Sequence, residues 1–373
     1  MGLFHFEKTR DNNNRHYPFF IKAPLIIIGL YLFFYILYLL QDILMPFAFA
    51  ALVAVLLNPV YNFLLKKKIN KIISIILVIL LAVIVVAGLF FFLSSQIMQF
   101  DEMIPQLKQK SLSLFHQLQT WLSERFGVST EKQMKMVNEA VNNSKAVIGQ
   151  TINTVFGILS YFVLIPLYVF LLLFYKPLLL NFMYEVFEDD DSSRVEEILQ
   201  ETKSAIQSYI VGLLIETCIV AVLNSVALLI LGVKYAILLG TIGALLNLVP
   251  YLGGIIAIAL PVLISIATKD GFSTPILIVA AYMLIQFIDN NILVPRIVSS
   301  KVSVNALMSV IIVLLGGTLW GVSGMFLSIP FVAVLKIIFD RIDGLKPWGK
   351  LLGDKLPEYI PAKVANAREF EQE

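Results

Sequence analysis

Residues 206–231 read IQSYIVGLLIETCIVAVLNSVALLIL, an apolar run with a carboxylate, Glu216, near its middle. About 20 apolar residues suffice to cross the hydrocarbon core of a bilayer. A charge at the bilayer centre costs at least about 2.5–3.5 kcal/mol. Such a group faces a protein-lined cavity, has a partner, or holds a proton. The run therefore marks an integral membrane protein with a polar feature inside the bilayer, which points to passage of a solute before it points to catalysis.

The rest of the chain agrees. Of 373 residues, 58% are hydrophobic and 14% charged, against roughly 25% charged in a soluble domain. The net charge of +2 is too small to imply a nucleic-acid partner. The single cysteine, Cys218, lies inside the apolar run, so there is no disulfide framework and no cysteine metal site. His5, His16 and His116 lie outside the apolar runs and share no metal-ligand spacing. No catalytic triad, phosphate loop or dinucleotide fingerprint is present, so no enzyme activity, cofactor or metal is expected. A basic arm (Lys8, Arg10, Arg15, Lys22) precedes the first run, and Ala48-Phe49-Ala50 resembles a weak cleavage site. The apolar stretch before that site is too long for a signal-peptide core, which reads as a retained span.

The fold class expected is all-α, a polytopic membrane bundle of about eight spans: 24–40, 43–64, 72–93, 152–175, 206–231, 235–267, 275–294 and 305–338. The first three, with the N-terminal arm, make a unit over 1–93. Residues 94–150 turn polar, with Ile104, Leu107, Leu114, Phe115, Leu118, Trp121 and Leu122 at helical spacing. This predicts a small extracytoplasmic helical insert. A transport core over 151–340 and a cytoplasmic tail over 341–373 follow. Within the core, 185–205 is a second polar island. Its acidic run, Glu188 to Asp191, suits the positive end of a helix dipole. Ser193 with Glu196 three positions on is a capping-box signature. Val195, Ile198, Leu199, Thr202 and Ile206 share one face, so an amphipathic helix leads into the Glu216 span.

Lysine and arginine in short loops set orientation. The basic arm, the Lys66–Lys71 loop and the Lys336–Lys355 segment place both termini in the cytoplasm, with 94–150 outside and 176–205 inside. Eight crossings satisfy this except at the 295–305 link, where Arg296 and Lys301 would lie outside.

Two spans are overlong and interrupted. In 235–267 the break is Asn247-Leu-Val-Pro250-Tyr-Leu-Gly253-Gly254. Pro250 removes a backbone donor, and the glycine pair permits non-helical dihedrals. In 305–338 the break is Gly316-Gly317-Thr-Leu-Trp-Gly321-Val-Ser-Gly324, with Pro330 beyond. Each segment fits either one steep, broken crossing or a re-entrant pair of half-helices. Broken backbone at membrane depth needs protein or a wet cavity around it, and paired interrupted segments point to a binding site. The alternative is a kink that serves close packing. Between them, Gln286-Phe-Ile-Asp289-Asn290-Asn291-Ile-Leu-Val-Pro295-Arg296 offers oxygen ligands to a hard cation or hydrogen bonds to a polyol, or else is a helix end at the interface stopped by Pro295. Arg296 either snorkels or binds substrate. The candidate pathway residues are Glu216, Asn247, Pro250, Gly253, Gly254, Asp289, Asn290, Asn291, Pro295 and Arg296.

The string Leu231-Gly232-Val233-Lys234-Tyr235 followed by LLGTIGALLNLVPYLGGIIAIALPVL, then QFIDNNILVPRIVSSKVSVNAL and GGTLWGVSGMFLSIPFVAVLK, resembles the signatures of the autoinducer-2 exporter (AI-2E) family, in order. The resemblance runs from about residue 20 to 345. It departs at Val211-Gly212-Leu213, where the family often has Arg-Gly-Gln, and at Ala306, where it usually has proline. Glu216 is outside the common pattern. The resemblance implies a bacterial inner-membrane protein with about eight spans, an extracytoplasmic insert, and assembly as a homo-oligomer, a pentamer among the options. It implies export of the furanone autoinducer-2 or, in other members, exchange of sodium or lithium for protons. It also carries a transport role to Asp289, Asn290, Asn291 and Pro295.

Three functions then compete. One is a secondary exporter of a small polar solute, with Asn247 and the Asp289–Asn291 cluster lining the path. Another is a cation/proton antiporter using Glu216 or Asp289, since desolvation penalises a charged carboxylate and suits it to proton release and uptake. A third is a non-transporting scaffold that binds an extracytoplasmic partner through 94–150, which would need neither the breaks nor Glu216.

Overall fold

The computed structural model describes residues 19–101, 161–186, 192–249, 253–269, 271–298 and 304–354. The predicted insert beyond Asp101, the first part of the 152–175 span, Pro250 and the tail from 355 on lie outside the described residues, as does the Ser193 side chain that was expected to cap. The described secondary structure is helical except for one isolated bridge, Val304 to Gly353.

The chain divides into two compact units, 1–44 and 45–373. In the first, α1 (Phe19–Leu39) is apolar and exposed along most of its length, with Tyr31 and Tyr35 stacked 6.1 Å apart. α2 (Gln41–Lys66) begins at the boundary and belongs mostly to the second unit. There it packs with α3 (Lys71–Asp101) and α4 (Tyr161–Phe174). Ala50, Ala54, Leu57 and Tyr61 meet Ile75 and Val78 of α3 and Val169 and Leu173 of α4. α5 (Lys176–Val186) bends 61° from α4. Lys71 donates to the Phe174 carbonyl at 2.7 Å, and Lys176 to Asn58 Oδ1 at 2.9 Å.

α6 (Ser192–Ile230) is one helix of 39 residues, so the amphipathic stretch runs unbroken into the Glu216 span. It starts later than 185, because Glu185 and Val186 close α5. α6 is the pillar of the core. It packs against α7 (Ala236–Asn247), α9 (Ser273–Ile288), a π-helix (Asp289–Val298) and α10 (Ala306–Arg341). Its first turns carry Glu197 and Glu201, both paired with Arg341 at the end of α10. Lys203 lies near enough to Lys176 for their charges to interact. The starts of α5 and α6, the Lys66–Lys71 loop and the end of α10 thus gather at one end of the unit.

Both interrupted segments fold back on themselves. α7 and α8 (Gly253–Thr268) are 12 and 16 residues long, about 18 and 24 Å at 1.5 Å per residue. Neither spans the roughly 30 Å hydrocarbon core. They pack side by side: Gly243 faces Ala257, and Ala236, Leu239, Ala257 and Ile264 share one core cluster. α10 is two helical halves that meet at a break, Trp320 (φ −134°) and Gly321 (φ 60°, ψ −142°), the second a conformation that favours glycine. In a straight helix Gly316 and Gly324 would be about 12 Å apart. Here a Cβ on either glycine would fall on the other's carbonyl, so residues 306–319 and 322–341 form a second hairpin.

The feet of that hairpin are tied. Asn305 caps α10 by accepting from the Met308 amide, and its own Nδ2 donates to the carbonyls of Leu351 (2.7 Å) and Gly353 (3.1 Å), next to α11 (Lys346–Leu352).

Five described helices are long and apolar enough to cross a membrane, six if α4 and α5 count as one, and one of the five is the folded-back α10. Of the two arrangements open for 235–267 and 305–338, one steep broken crossing or a re-entrant pair of half-helices, the folded-back halves match the pair. The chain turns back between α7 and α8 and again at Trp320–Gly321. Gly324→Ala should lower the melting temperature in detergent, since overpacking such a contact costs about 1–3 kcal/mol. Gly88→Ala, whose Cβ meets nothing within 4 Å, should hold or gain up to about 1 kcal/mol. Equal stability of the two variants would mean that the halves of α10 do not pack.

Candidate functional site

The tip of the first hairpin brings three elements together. Asn247, the last residue of α7, sits between Glu216 in the middle of α6 and Asp289 at the first position of the π-helix. Its amide nitrogen donates to Glu216 Oε1 at 3.2 Å and to Asp289 Oδ2 at 3.0 Å. One NH2 group carries two hydrogens, and both are spent on carboxylates. Glu216 is 3% exposed and Asp289 2%, so this amide supplies much of what water would otherwise provide.

A second amide flanks the first. Gln286 Nε2 lies 3.4 Å from Asp289 Oδ2 and 3.3 Å from Asn290 Oδ1. Gln286 in turn rests against Gly254, where a Cβ would stand 2.8 Å from Gln286 Oε1. Gly253 is buried, and a Cβ there would run into Leu246 and Asn247. Close approach of the hairpin tip to the site therefore needs both glycines bare. Asp289 Oδ1 is buried and has no hydrogen-bond partner among the described residues.

The π-helix sets the side-chain directions. From Asp289 to Val298 the ladder widens to i→i+5, a form that gathers at functional sites. Asn291 Nδ2 donates to the Phe287 carbonyl at 2.8 Å across the junction. At the far end, a Cβ on Gly212 of α6 would lie 2.5 Å from the Ile297 carbonyl. The glycine between Val211 and Leu213 thus lets the π-helix lie directly on α6.

These elements enclose a cavity of about 770 Å³, within the roughly 300–1,000 Å³ usual for small-molecule sites. Glu216, Asn247, Gly254, Asp289, Asn290 and Asn291 line it, all among the candidates from sequence. From the carboxylates it runs past Tyr209, Leu213 and Val298 to Val304 and Ser309 at the foot of the second hairpin. Pro295 and Arg296 lie on the π-helix but are exposed and outside the lining. Pro250 lies outside the described residues. Sequence reasoning named Gln286 at the head of the Asp289–Asn291 motif without placing it on the pathway, and left out Tyr209 and Ser309. Gln286 stands three residues before Asp289, and that spacing was the available signal. Nothing local distinguishes Tyr209 or Ser309, which reach the cavity only through the packing of α6 against the second hairpin.

A family profile described as AI-2E family transporter matches residues 26–344. Relatives along the chain include the AI-2 transport protein TqsA of Escherichia coli (strain K12), 24% identical over 84% of this chain and 90% of the relative. The putative transport protein YueF of Bacillus subtilis (strain 168) is 23% identical over 80% of this chain and 83% of its own length. A second Bacillus subtilis protein, the putative transport protein YrrI, is 28% identical over 55% of this chain and 58% of its own. With a profile match across most of the sequence and a carboxylate-lined cavity among its apolar helices, this chain is a multi-pass membrane transporter belonging to the AI-2E family.

Proposed function

We propose that the protein is a secondary exporter of a small, hydroxylated polar solute, an autoinducer-2-like furanone by family analogy, coupled to protons at the Glu216–Asn247–Asp289 site. The observation that carries this is the single Asn247 amide donating to two buried carboxylates at the head of a cavity fringed by Gln286, Asn290, Asn291 and Ser309. Amides and a hydroxyl on the fringe suit a ligand rich in hydroxyl groups. Two carboxylates on one amide repel each other in a low-dielectric site unless a proton or cation lies between them, which supplies a coupling group.

A second reading, exchange of sodium or lithium for protons, draws on a different observation: the buried, unpartnered Asp289 Oδ1 beside Glu216 offers oxygen to a cation. The discriminating experiment is purified protein in liposomes with a lumenal pH dye. Proton flux on adding autoinducer-2 alone supports the first reading, and flux on adding sodium or lithium alone supports the second.

Re-entrant hairpins also support a topology for this transporter in the bacterial inner membrane with both termini cytoplasmic. If the α7–α8 and α10 hairpins each enter and leave on one side, two crossings disappear. Arg296 and Lys301 then move from the outer face to the cytoplasm, as the charge rule asks. The homo-oligomer implied by the family is kept as part of this proposal.

Three outcomes are expected. Glu216→Gln should insert and fold normally but lose the pH dependence of flux; an unchanged pH profile would make Glu216 structural. Asn247→Ala should raise the half-saturation concentration by roughly tenfold, since an orphaned buried polar group costs about 1–3 kcal/mol, and should lower the maximal rate less. Unaltered half-saturation would remove Asn247 from the binding site. Finally, in a variant with Cys218 replaced, Ser300→Cys should resist an impermeant thiol reagent applied to intact cells and react after the membrane is opened. Reaction from outside would instead place the 295–305 link on the outer face, as two full, broken crossings would require.

A further inference from the structure

Beyond the carboxylates, on the side away from the cavity, the protein closes into an apolar core of Leu228, Val233, Leu239, Ile264 and Ile278. Two polar groups are sealed into this region. Asn224 lies two helical turns past Glu216 on α6 and is 3% exposed; Tyr282 lies one turn before Gln286 on α9 and is 4% exposed. Asn224 Oδ1 and the Tyr282 hydroxyl are buried, and neither has a hydrogen-bond partner among the described residues. They come from different helices, and both side chains border Gly243, Asn224 with its amide group. A Cβ added to Gly243 of α7 would lie 3.4 Å from the Asn224 amide nitrogen and 3.7 Å from the Tyr282 hydroxyl.

Two unsatisfied groups of this kind cost about 1–3 kcal/mol each, and native interiors rarely leave them so. Their chemistry is complementary to a single O–H: the tyrosine can donate to its oxygen, and Asn224 Oδ1 can accept its hydrogen. Two oxygens are too few for a bare hard cation, which takes about six or more. The missing side chain of Gly243 leaves the room.

We propose that Asn224, Tyr282 and the bare face of Gly243 form a second polar station that holds one O–H group, from water or from a hydroxylated solute, on the closed side of the carboxylate site. The station continues the polar line Glu216–Asn247–Gln286 toward the opposite end of α6, where a solute leaving the cavity must pass. Its place on the path rests on the transport reading above; its occupancy does not.

The test uses the full chain in liposomes and radiolytic hydroxyl-radical labelling, in which a bound water, split in place, marks the residue it touches even when that residue is buried. Tyr61, also 4% exposed and likewise part of an apolar cluster but not bordered by Asn224, is the control. Tyr282 should label severalfold faster than Tyr61. Gly243→Ala, which fills the spot while meeting Ala257 at 3.4 Å, should reduce Tyr282 labelling to the Tyr61 level. Protection of Tyr282 by added autoinducer-2 assigns the O–H to a solute hydroxyl, and unchanged labelling assigns it to water. Tyr282 labelling no faster than Tyr61 in the unaltered protein overturns the station. In the same vesicles Gly243→Ala and Tyr282→Phe, the latter adding no volume, should lower the maximal flux with half-saturation unchanged. Absence of any flux in the unaltered protein defeats the transport reading, while the labelling still decides the station.

Discussion

Glu216 and Asp289 are carboxylates from different helices, nearly removed from solvent, and the two hydrogens of the Asn247 amide reach both. Holding that geometry constrains much of the core. Asn247 must end α7 so that its side chain points at the seam between α6 and α9. α7 must therefore stop short and turn. α9 must change its winding at Asp289, which places Asp289 inward and Asn290 and Asn291 along the cavity. The break at 248–252 and the π-helix at 289–298 are in this sense two sides of one requirement, that polar groups from three elements meet where no water can replace them.

The same lack of water explains how the breaks are built. A helix that ends inside the bilayer exposes backbone groups that need partners. Both segments answer by folding each half against its own continuation, with glycine at the contact: Gly243 and Gly253 in the first, Gly316 and Gly324 in the second, where Gly321 makes the turn. Small residues allow the close approach that drives helix association in lipid. In the second hairpin the Ser328 hydroxyl donates to the Gly324 carbonyl at 2.6 Å.

Much of this was legible in the sequence, because the membrane leaves few options. Apolar run length located α1 and α2, the start of α3 and the end of α6, and the cost of a buried charge singled out Glu216. Asn247, Gly253 and the Asp289–Asn291 cluster stood out as polar or flexible residues in apolar surroundings. What escaped was direction. Gly and Pro announce that a helix is broken at 247–254 and 316–324, but not whether the chain continues or reverses, since that depends on which face each half offers the other. The π-helix was equally hidden: Asp289-Asn290-Asn291 before Pro295 reads as a frayed helix end until α6, with Gly212 bare, is there to receive it. Tyr209 and Ser309 had no local signal at all.

The tie at the foot of the second hairpin bears on how the protein is made. Asn305 finds its partners at Leu351 and Gly353, 46 and 48 residues later in the chain. During synthesis, residues 306–341 leave the ribosome before the groups that clamp their base exist. Each half is short or glycine-rich, and neither half has its full set of partners at that moment. The base of the second hairpin can therefore be clamped only after the segment that follows it has been made. A truncation before Leu351 would leave that closing step without its clamp even though every apolar segment had been delivered to the bilayer.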